Sequence, residues 1–98
     1  DNIRIINRYH GVEAIKKNGR VSYRSRIHIN GNYIIGRYSS ENEAAIAYNK
    51  AVAMLHDKGC TKAYPENYLE DISAIEYAKL YNSVKLSKRF RDYVSTYC

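Results

Sequence analysis

Two Asn-Gly pairs, each set beside stretches of alternating side chains, constrain the fold of this chain more than any other feature. In residues 23–29, arginines and a histidine alternate with tyrosine, serine and isoleucine. Successive side chains of a β-strand point to opposite faces, so this stretch predicts a strand with one packed face and one basic face. Asn-Gly is favoured in two-residue hairpin turns because both central residues have positive φ. Asn30-Gly31 therefore predicts a direct reversal into a strand over residues 32–38.

The second Asn-Gly pair lies upstream and adds another strand. Residues 8–15 are a strand candidate, and Lys17-Asn18-Gly19-Arg20 offers a turn before the run that begins at Val21. The two turns together predict three strands in an antiparallel meander. On the third strand the side chains also divide between a packed face and the arginine face, with Tyr33 and Ile35 on the former and Asn32 and Ile34 on the latter.

A capped amphipathic helix is predicted directly after the third strand. Ser40-x-x-Glu43 fits a capping box, and Gly59 is suited to end the helix in the left-handed conformation, which gives a helix over residues 41–58. Its buried stripe is predicted from apolar residues at helical spacing, namely Ala44, Ala45, Ala47, Tyr48, Ala51, Val52 and Leu55. The predicted fold class is α+β, with a three-stranded antiparallel sheet packed against one long helix.

The last third of the chain predicts one or two additional helices. Residues 63–67 contain the only proline and indicate a connector, followed by helices over residues 70–82 and 86–94, the second with Ser87 as a possible cap. We therefore divide the chain into residues 1–63 and a helical extension, residues 64–98. The extension is rich in tyrosine and can pack across the open side of the long helix, which we favour, or form a homodimer.

The positive charge is concentrated in the predicted sheet. Residues 1–38 contain eight Lys and Arg against two acidic residues, a net charge of +6, whereas residues 39–98 contain eight of each sign and sum to zero. This asymmetry is typical of an electrostatic footprint for nucleic acid, and together with the basic face of the predicted sheet it favours DNA as the partner. The alternative is a basic face that serves only solubility.

Several other classes are disfavoured by the sequence. A chain of 98 residues, 45% of them hydrophobic, fits one small globular domain, and no run approaches the roughly 18 apolar residues of a membrane span. There is no secretory signal pattern, so Cys60 and Cys98 are expected to be free thiols of an intracellular protein. The start at Asp1 suggests a fragment of a longer protein, and processing is the alternative explanation. His56 and Cys60 lack a second ligand pair at zinc-finger spacing. We expect no cofactor, and no catalytic constellation is evident, so we expect that this segment is not an enzyme.

Four motifs together resemble a known family. They are Tyr9-His10-Gly11-Val12, a strand ending in Ile27, Ile35-Gly36-Arg37-Tyr38, and a helix that reads Glu43-Ala44-Ala45-Ile46-Ala47-Tyr48-Asn49-Lys50-Ala51. This pattern resembles the Apetala-2/ethylene-response-factor DNA-binding domain, over about the first two thirds of the chain. The resemblance implies that the sheet lies in the DNA major groove while the helix braces it from behind, in the DNA-binding part of a transcription regulator. A nuclear location follows for a eukaryotic source, and a cytoplasmic one at the nucleoid for a bacterial or phage source.

The resemblance also implies positions for the DNA contacts. Base-reading positions fall on His10, Glu13, Ile15, Lys17, Arg26, His28, Asn32 and Ile34, and phosphate-binding positions on Arg37 and Tyr48. Glu13 and Ile15 stand where the plant pattern has arginines, and tryptophan is absent, so the binding mode is expected to carry over but not the GC-rich plant target. The alternative is the DNA-targeting domain of a mobile-element integrase or homing-type nuclease.

The chemistry of the side chains independently suggests their roles. An Arg fork matches guanine O6 and N7, which makes Arg24 and Arg26 the best candidates for base contacts. Glu13 has two open roles, acceptance of a hydrogen bond from cytosine or a salt bridge to a neighbouring arginine. Phosphate contacts suit the cations at turns and strand ends, namely Lys16, Lys17, Arg20 and Arg37. A second basic cluster either touches the DNA backbone or forms a solvated helix face, and its members are Lys85, Lys88, Arg89 and Arg91.

Overall fold

The computed structural model describes residues 9–96 and confirms the α+β architecture. Three strands precede three helices. The strands are β1 (Val12–Lys17), β2 (Arg20–His28) and β3 (Asn32–Tyr38), and the helices are α1 (Glu41–Asp57), α2 (Ala74–Ser83) and α3 (Lys88–Ser95). The strands form one antiparallel sheet in the order β1-β2-β3, and α1 packs against one of its faces.

The first hairpin turn forms as predicted, but its leading strand begins later. Asn18 and Gly19 have φ values of 52° and 76°, the conformation of the expected two-residue turn. β1 begins at Val12 rather than at residue 8, because Gly11 adopts a φ of 75° and interrupts the extended backbone. Arg8 lies outside the described residues.

The prediction for the second turn was wrong in its geometry. His28 pairs with Asn32, which leaves a three-residue loop over residues 29–31, and neither Asn30 nor Gly31 is in the left-handed region. The loop is held instead by local hydrogen bonds. The Ile29 amide donates to the Gly31 carbonyl at 3.0 Å, and the Tyr33 hydroxyl donates to Asn30 Oδ1 at 3.0 Å.

A bulge in β3 changes which face its last residues occupy. Gly36 pairs with Ser25 and Ile34 pairs with Arg26, so Ile35 has no partner in the β2–β3 register. Strict alternation would turn Arg37 towards the helix. The extra residue keeps Ile35 fully buried, and Arg37 lies exposed opposite Arg24.

Helix α1 begins and ends as its sequence predicts. Ser40 and Glu43 form a capping box, and Gly59 follows the helix with a φ of 96°. The predicted stripe is buried throughout, and the Ser25 hydroxyl reaches the Ala44 carbonyl at 3.0 Å because alanine allows the helix to lie close to the sheet. Ile46 and Asn49 are buried as well, since the C-terminal extension covers a further side of the helix.

The C-terminal extension packs within the chain, as we favoured. Helix α2 begins at Ala74 rather than at residue 70, because Ser73 and Glu76 form its capping box. Asn67 is buried in the preceding segment, and the Asn49 side chain holds its backbone. Asn49 Nδ2 donates to the Asn67 carbonyl at 2.8 Å, and Asn49 Oδ1 accepts from the Asn67 backbone amide at 2.8 Å. Helix α3 begins at Lys88 rather than at residue 86, and the predicted cap Ser87 is confirmed.

The core joins the two parts of the chain. Leu69, Val84, Leu86, Phe90 and Val94 of the extension belong to the same buried cluster as the sheet and α1 residues. Within residues 9–96, no helix is long and apolar enough to cross a bilayer. The Cys60 thiol is free and buried, whereas Cys98 falls outside the described residues.

Candidate nucleic-acid interface

The sheet face that points away from α1 carries the predicted strand contacts, and we call it the outer face. Val12, Ser25 and Ile27 are buried on the face towards α1, and the residues that alternate with them along the strands belong to the outer face. Its residues are Glu13, Ile15, Lys17, Arg20, Ser22, Arg24, Arg26, His28, Asn32, Ile34 and Arg37. The sheet thus brings ten of the twelve predicted site residues onto one surface, and the other two, His10 and Tyr48, lie at its end.

Glu13 is the acidic residue of the outer face, and its carboxylate interacts with two arginines. Its Oε2 accepts a hydrogen bond from Arg24 Nε at 2.6 Å, and Arg26 Nε lies 3.9 Å from the same oxygen. The Arg24 and Glu13 side chains are 28% and 26% exposed, whereas the Arg26 side chain is 46% exposed. Of the two open roles for Glu13, the salt bridge is thus present in the free protein. Arg24 is held by Glu13, and Arg26 has the more accessible guanidinium.

Arg37, another arginine of this face, has no acidic partner among residues 9–96. It lies exposed on β3 opposite Arg24, and the row across the three strands runs Glu13, Arg24, Arg37. One carboxylate therefore faces three guanidinium groups near the centre of the sheet. The excess positive charge suits a phosphate or an electronegative base edge.

A crevice of about 360 Å³ lies at the end of the sheet where β2 finishes. His10, Arg26, His28 and Asn32 line it together with Lys62 and Tyr64. The Tyr64 hydroxyl donates to the His28 carbonyl at 2.8 Å, and Lys62 Nζ lies 3.5 Å from that oxygen. Among residues 9–96, no acidic side chain lines the crevice.

Sequence reasoning missed Lys62 and Tyr64. Both belong to the segment after Gly59, which has no regular secondary structure, and only its return past the end of β2 brings them to the outer face. Lys62 Nζ also lies 5.5 Å from the centre of the Tyr64 ring, so the two side chains are held together by a cation–π contact. The sequence signal for these residues is a lysine two positions before a tyrosine, but their spacing does not indicate that they contact β2.

Tyr48 forms the buried wall of the crevice. It is 5% exposed, and a Cβ on Gly11 would overlap its ring, which explains the glycine in the Tyr-x-Gly-Val motif. Burial raises the pKa of Tyr48, so its hydroxyl stays protonated and can donate a hydrogen bond. Its predicted phosphate contact stays a prediction.

Asn67 positions His10 at the rim of the crevice. Its Oδ1 accepts a hydrogen bond from the His10 amide at 2.7 Å, and its Nδ2 donates to the His10 carbonyl at 3.0 Å. His10 itself is exposed. An asparagine 57 residues away thus fixes the backbone of the first predicted base-reading position.

The opposite end of the sheet is a basic tip. Lys17 pairs with Arg20 beside the Asn18-Gly19 turn, and both side chains are exposed. Ile15 and Ile34 supply apolar surface on the same face, the former half-buried and the latter 40% exposed. The outer face therefore combines cations at its margins with apolar and forked side chains near its centre.

Nothing in the described part of the chain groups three or more His, Cys, Asp or Glu side chains as a metal site. Comparisons of the chain with protein-family models, with curated proteins and with solved structures found no match.

Proposed function

We propose that this chain binds double-stranded DNA by laying the outer face of its sheet in the major groove. The observation that carries the proposal is the row formed by Glu13, Arg24 and Arg37 across the three strands. The bulge in β3 places Arg37 on the same face as Arg24 and Arg26. The strands lie about 4.8 Å apart, so the three axes span about 10 Å, comparable to a major groove about 12 Å wide. Helix α1 packs on the other face and leaves this one open.

In this proposal, the exposure of each side chain and its place in the sheet determine whether it contacts a base or a phosphate. Arg26 is the exposed fork at the centre and would read guanine O6 and N7, and its register partner Ile34 would contact a thymine methyl group. Lys17, Arg20 and Arg37 would bind phosphates, which fix register without reading sequence. Glu13 would hold the Arg24 fork in place.

The proposed role in the cell is that of the DNA-binding segment of a transcription regulator, by resemblance to the Apetala-2 family. The motif glycines support the resemblance, because Gly11 packs against the Tyr48 ring and Gly36 against the Tyr38 ring, and all four residues belong to the matching motifs. A nuclear or nucleoid location belongs to the same proposal.

The deciding experiment is selection from a random duplex library at fixed salt with the wild type, Arg26→Ala and Lys79→Ala. Lys79 lies exposed on α2, which packs on α1 away from the outer face, so its variant removes the same charge elsewhere. We expect an enriched motif that loses information at one or two positions only in Arg26→Ala. An equal loss on all sequences would reduce the proposal to non-specific backbone binding, and no binding by the wild type would reject it.

We also propose where the homodimer that the sequence left open would form. The side chains of Tyr68 and Ile75 are 79% and 71% exposed on the side of the molecule formed by the extension. Sedimentation velocity over a range of protein concentrations tests this, with Ile75→Lys as the variant. A coefficient that is independent of concentration would exclude a homodimer.

A further inference from the structure

The start of helix α3 is fastened to the free edge of β3. The Ser87 amide donates to the Ile35 carbonyl at 2.6 Å, and the Ser87 hydroxyl donates to the Ile34 carbonyl at 3.0 Å. Just before it, the Lys85 carbonyl accepts a hydrogen bond from the Tyr38 hydroxyl at 2.8 Å. Because these bonds join backbone to strand, the first turn of α3 has a fixed position beside the sheet.

This attachment continues the outer face onto the helix. A cleft of about 310 Å³ lies between the two elements, and it is lined by Asn32 and Ile34 of the outer face and by Arg89 of α3. The Arg89 side chain is exposed and has no ion pair or hydrogen bond within residues 9–96. It is therefore an uncommitted guanidinium at the margin of the outer face.

The other three cations of this basic cluster are placed differently. Lys88 Nζ forms an ion pair with Asp92 at 2.8 Å, one turn further along the helix. Arg91 Nε donates to the Leu86 carbonyl at 3.0 Å. Arg91 and Lys85 line another cleft, next to Met54 of α1, rather than the one that Asn32 and Ile34 enter. Of the four cations in this cluster, Arg89 is thus the one that lines the cleft bordering the outer face.

We propose that Arg89 binds a backbone phosphate of the DNA strand that passes the β3 edge, which makes the C-terminal extension part of the DNA-binding surface. The proposal rests on the function proposed above. When a sheet lies in the major groove, the groove walls are the two sugar-phosphate backbones, and an element fixed beside an edge strand meets one of them. Arginine suits this place because its planar fork matches phosphate oxygens and is always charged.

The test compares Arg89→Gln with Arg91→Gln, which removes the same charge from the same helix on another side. Binding of each variant to one duplex carrying the selected motif is measured by fluorescence anisotropy across a salt series, with Arg26→Ala alongside. We expect Arg89→Gln to weaken binding about tenfold and to reduce the slope of log K against log salt by about 0.9, the value for one phosphate contact. Arg91→Gln should leave both quantities at their wild-type values.

The sequence dependence of the loss separates a phosphate contact from a base contact. Arg89→Gln should weaken motif and non-motif duplexes by the same factor, and Arg89→Lys should recover part of the affinity because it keeps the charge. A matching circular dichroism spectrum and melting temperature would show that both variants fold.

The two proposals fail in different ways. If Arg26→Ala weakens binding and Arg89→Gln does not, or if Arg89→Gln and Arg91→Gln weaken it equally, the role of Arg89 is rejected and the outer face remains the binding surface. If the wild type does not bind duplex DNA, both proposals are rejected.

Discussion

Arg37 lies directly opposite Arg24 in the β2–β3 ladder, so two guanidinium groups share neighbouring positions on one face. Like charges in directly opposed positions destabilise a sheet. Glu13 lies opposite Arg24 in the β1–β2 ladder, and its carboxylate compensates part of this repulsion. The remaining positive charge is unfavourable in the free protein and becomes favourable when an anion binds.

Removing the negative charge of Glu13 should therefore lower the stability of the protein, because the repulsion between Arg24 and Arg37 is no longer compensated. We expect Glu13→Gln to lower the free energy of unfolding by about 0.5–1 kcal/mol, because the Glu13–Arg24 pair is partly exposed and only its screened interaction is lost. The loss should shrink as salt is added, since ions screen exposed charges. Urea denaturation at low and high salt measures both effects. Glu66→Gln is the control, because Glu66 is exposed in the connector before α2, and a loss that is independent of salt would contradict the electrostatic explanation.

The contact between Gly11 and Tyr48 should make Gly11 intolerant of any side chain. The φ of Gly11 is 75°, and a Cβ there would overlap the Tyr48 ring and lie 2.6 Å from the Arg26 carbonyl oxygen. We expect Gly11→Ala to cost about 2–4 kcal/mol of stability, from the left-handed backbone and the overlap together. Gly31→Ala is the matched control, with nothing within 4 Å of its Cβ and no left-handed φ, and it should change stability by at most about 0.5 kcal/mol. Equal effects in a urea titration would contradict this account.

Removal of the Asn67 side chain should destabilise the chain and release His10. Asn67→Ala leaves the His10 amide and carbonyl without their partner, and we expect a loss of about 2–3 kcal/mol because the asparagine is buried. Amide hydrogen exchange at His10 should accelerate as well. Asn82→Ala, at an exposed position near the end of α2, is the control. Unchanged exchange at His10 in Asn67→Ala would show that other contacts hold this segment.

Tyr38 should make stability depend on pH in the alkaline range. Burial, with a smaller contribution from the Glu43 carboxylate, raises the pKa of Tyr38 from 10.0 to about 12. Because the folded-state pKa lies above that of the unfolded chain, the Tyr38 contribution is fully present below pH 10 and is lost as the pH rises from 10 to about 12. Urea denaturation at intervals over this range measures it. Tyr38→Phe should show a shallower decline than the wild type, and parallel declines would exclude Tyr38 as a source.

The sequence predicted those features that depend on local pattern. Alternation in β2 identified the outer face, and the capping residues Ser40 and Ser87 identified the starts of α1 and α3, because each of these signals lies within a few residues. The Ser73-x-x-Glu76 capping box is an equally local signal, and it marks the start of α2 at Ala74, later than the apolar periodicity predicts.

The features that escaped prediction depend on long-range contacts. Gly36, which follows Ile35, is the local signal for the bulge, because an isolated glycine inside a strand often marks one. The hydrogen bond from the Ser87 amide to the Ile35 carbonyl depends on a residue far along the chain and could not be predicted. Lys62 and Arg89 reach the margin of the outer face only because segments after α1 return to the sheet, the first beside the end of β2 and the second beside the start of β3. The three-residue loop at residues 29–31 also has a long-range contact, because Lys62 Nζ lies 3.5 Å from the Ile29 carbonyl oxygen.

The two hydrogen bonds from Ser87 to β3 also decide how copies of this protein can associate. An edge strand with free backbone groups is a template for pairing with another chain, the usual route to fibrous aggregates. Ser87 occupies the Ile34 and Ile35 carbonyls, so a fourth strand cannot add across the middle of that edge. Among the strands that the structure describes, strand addition is therefore restricted to the edge of β1. The C-terminal end of β1 carries Lys16 and Lys17, and repulsion between these lysines of two copies opposes such pairing.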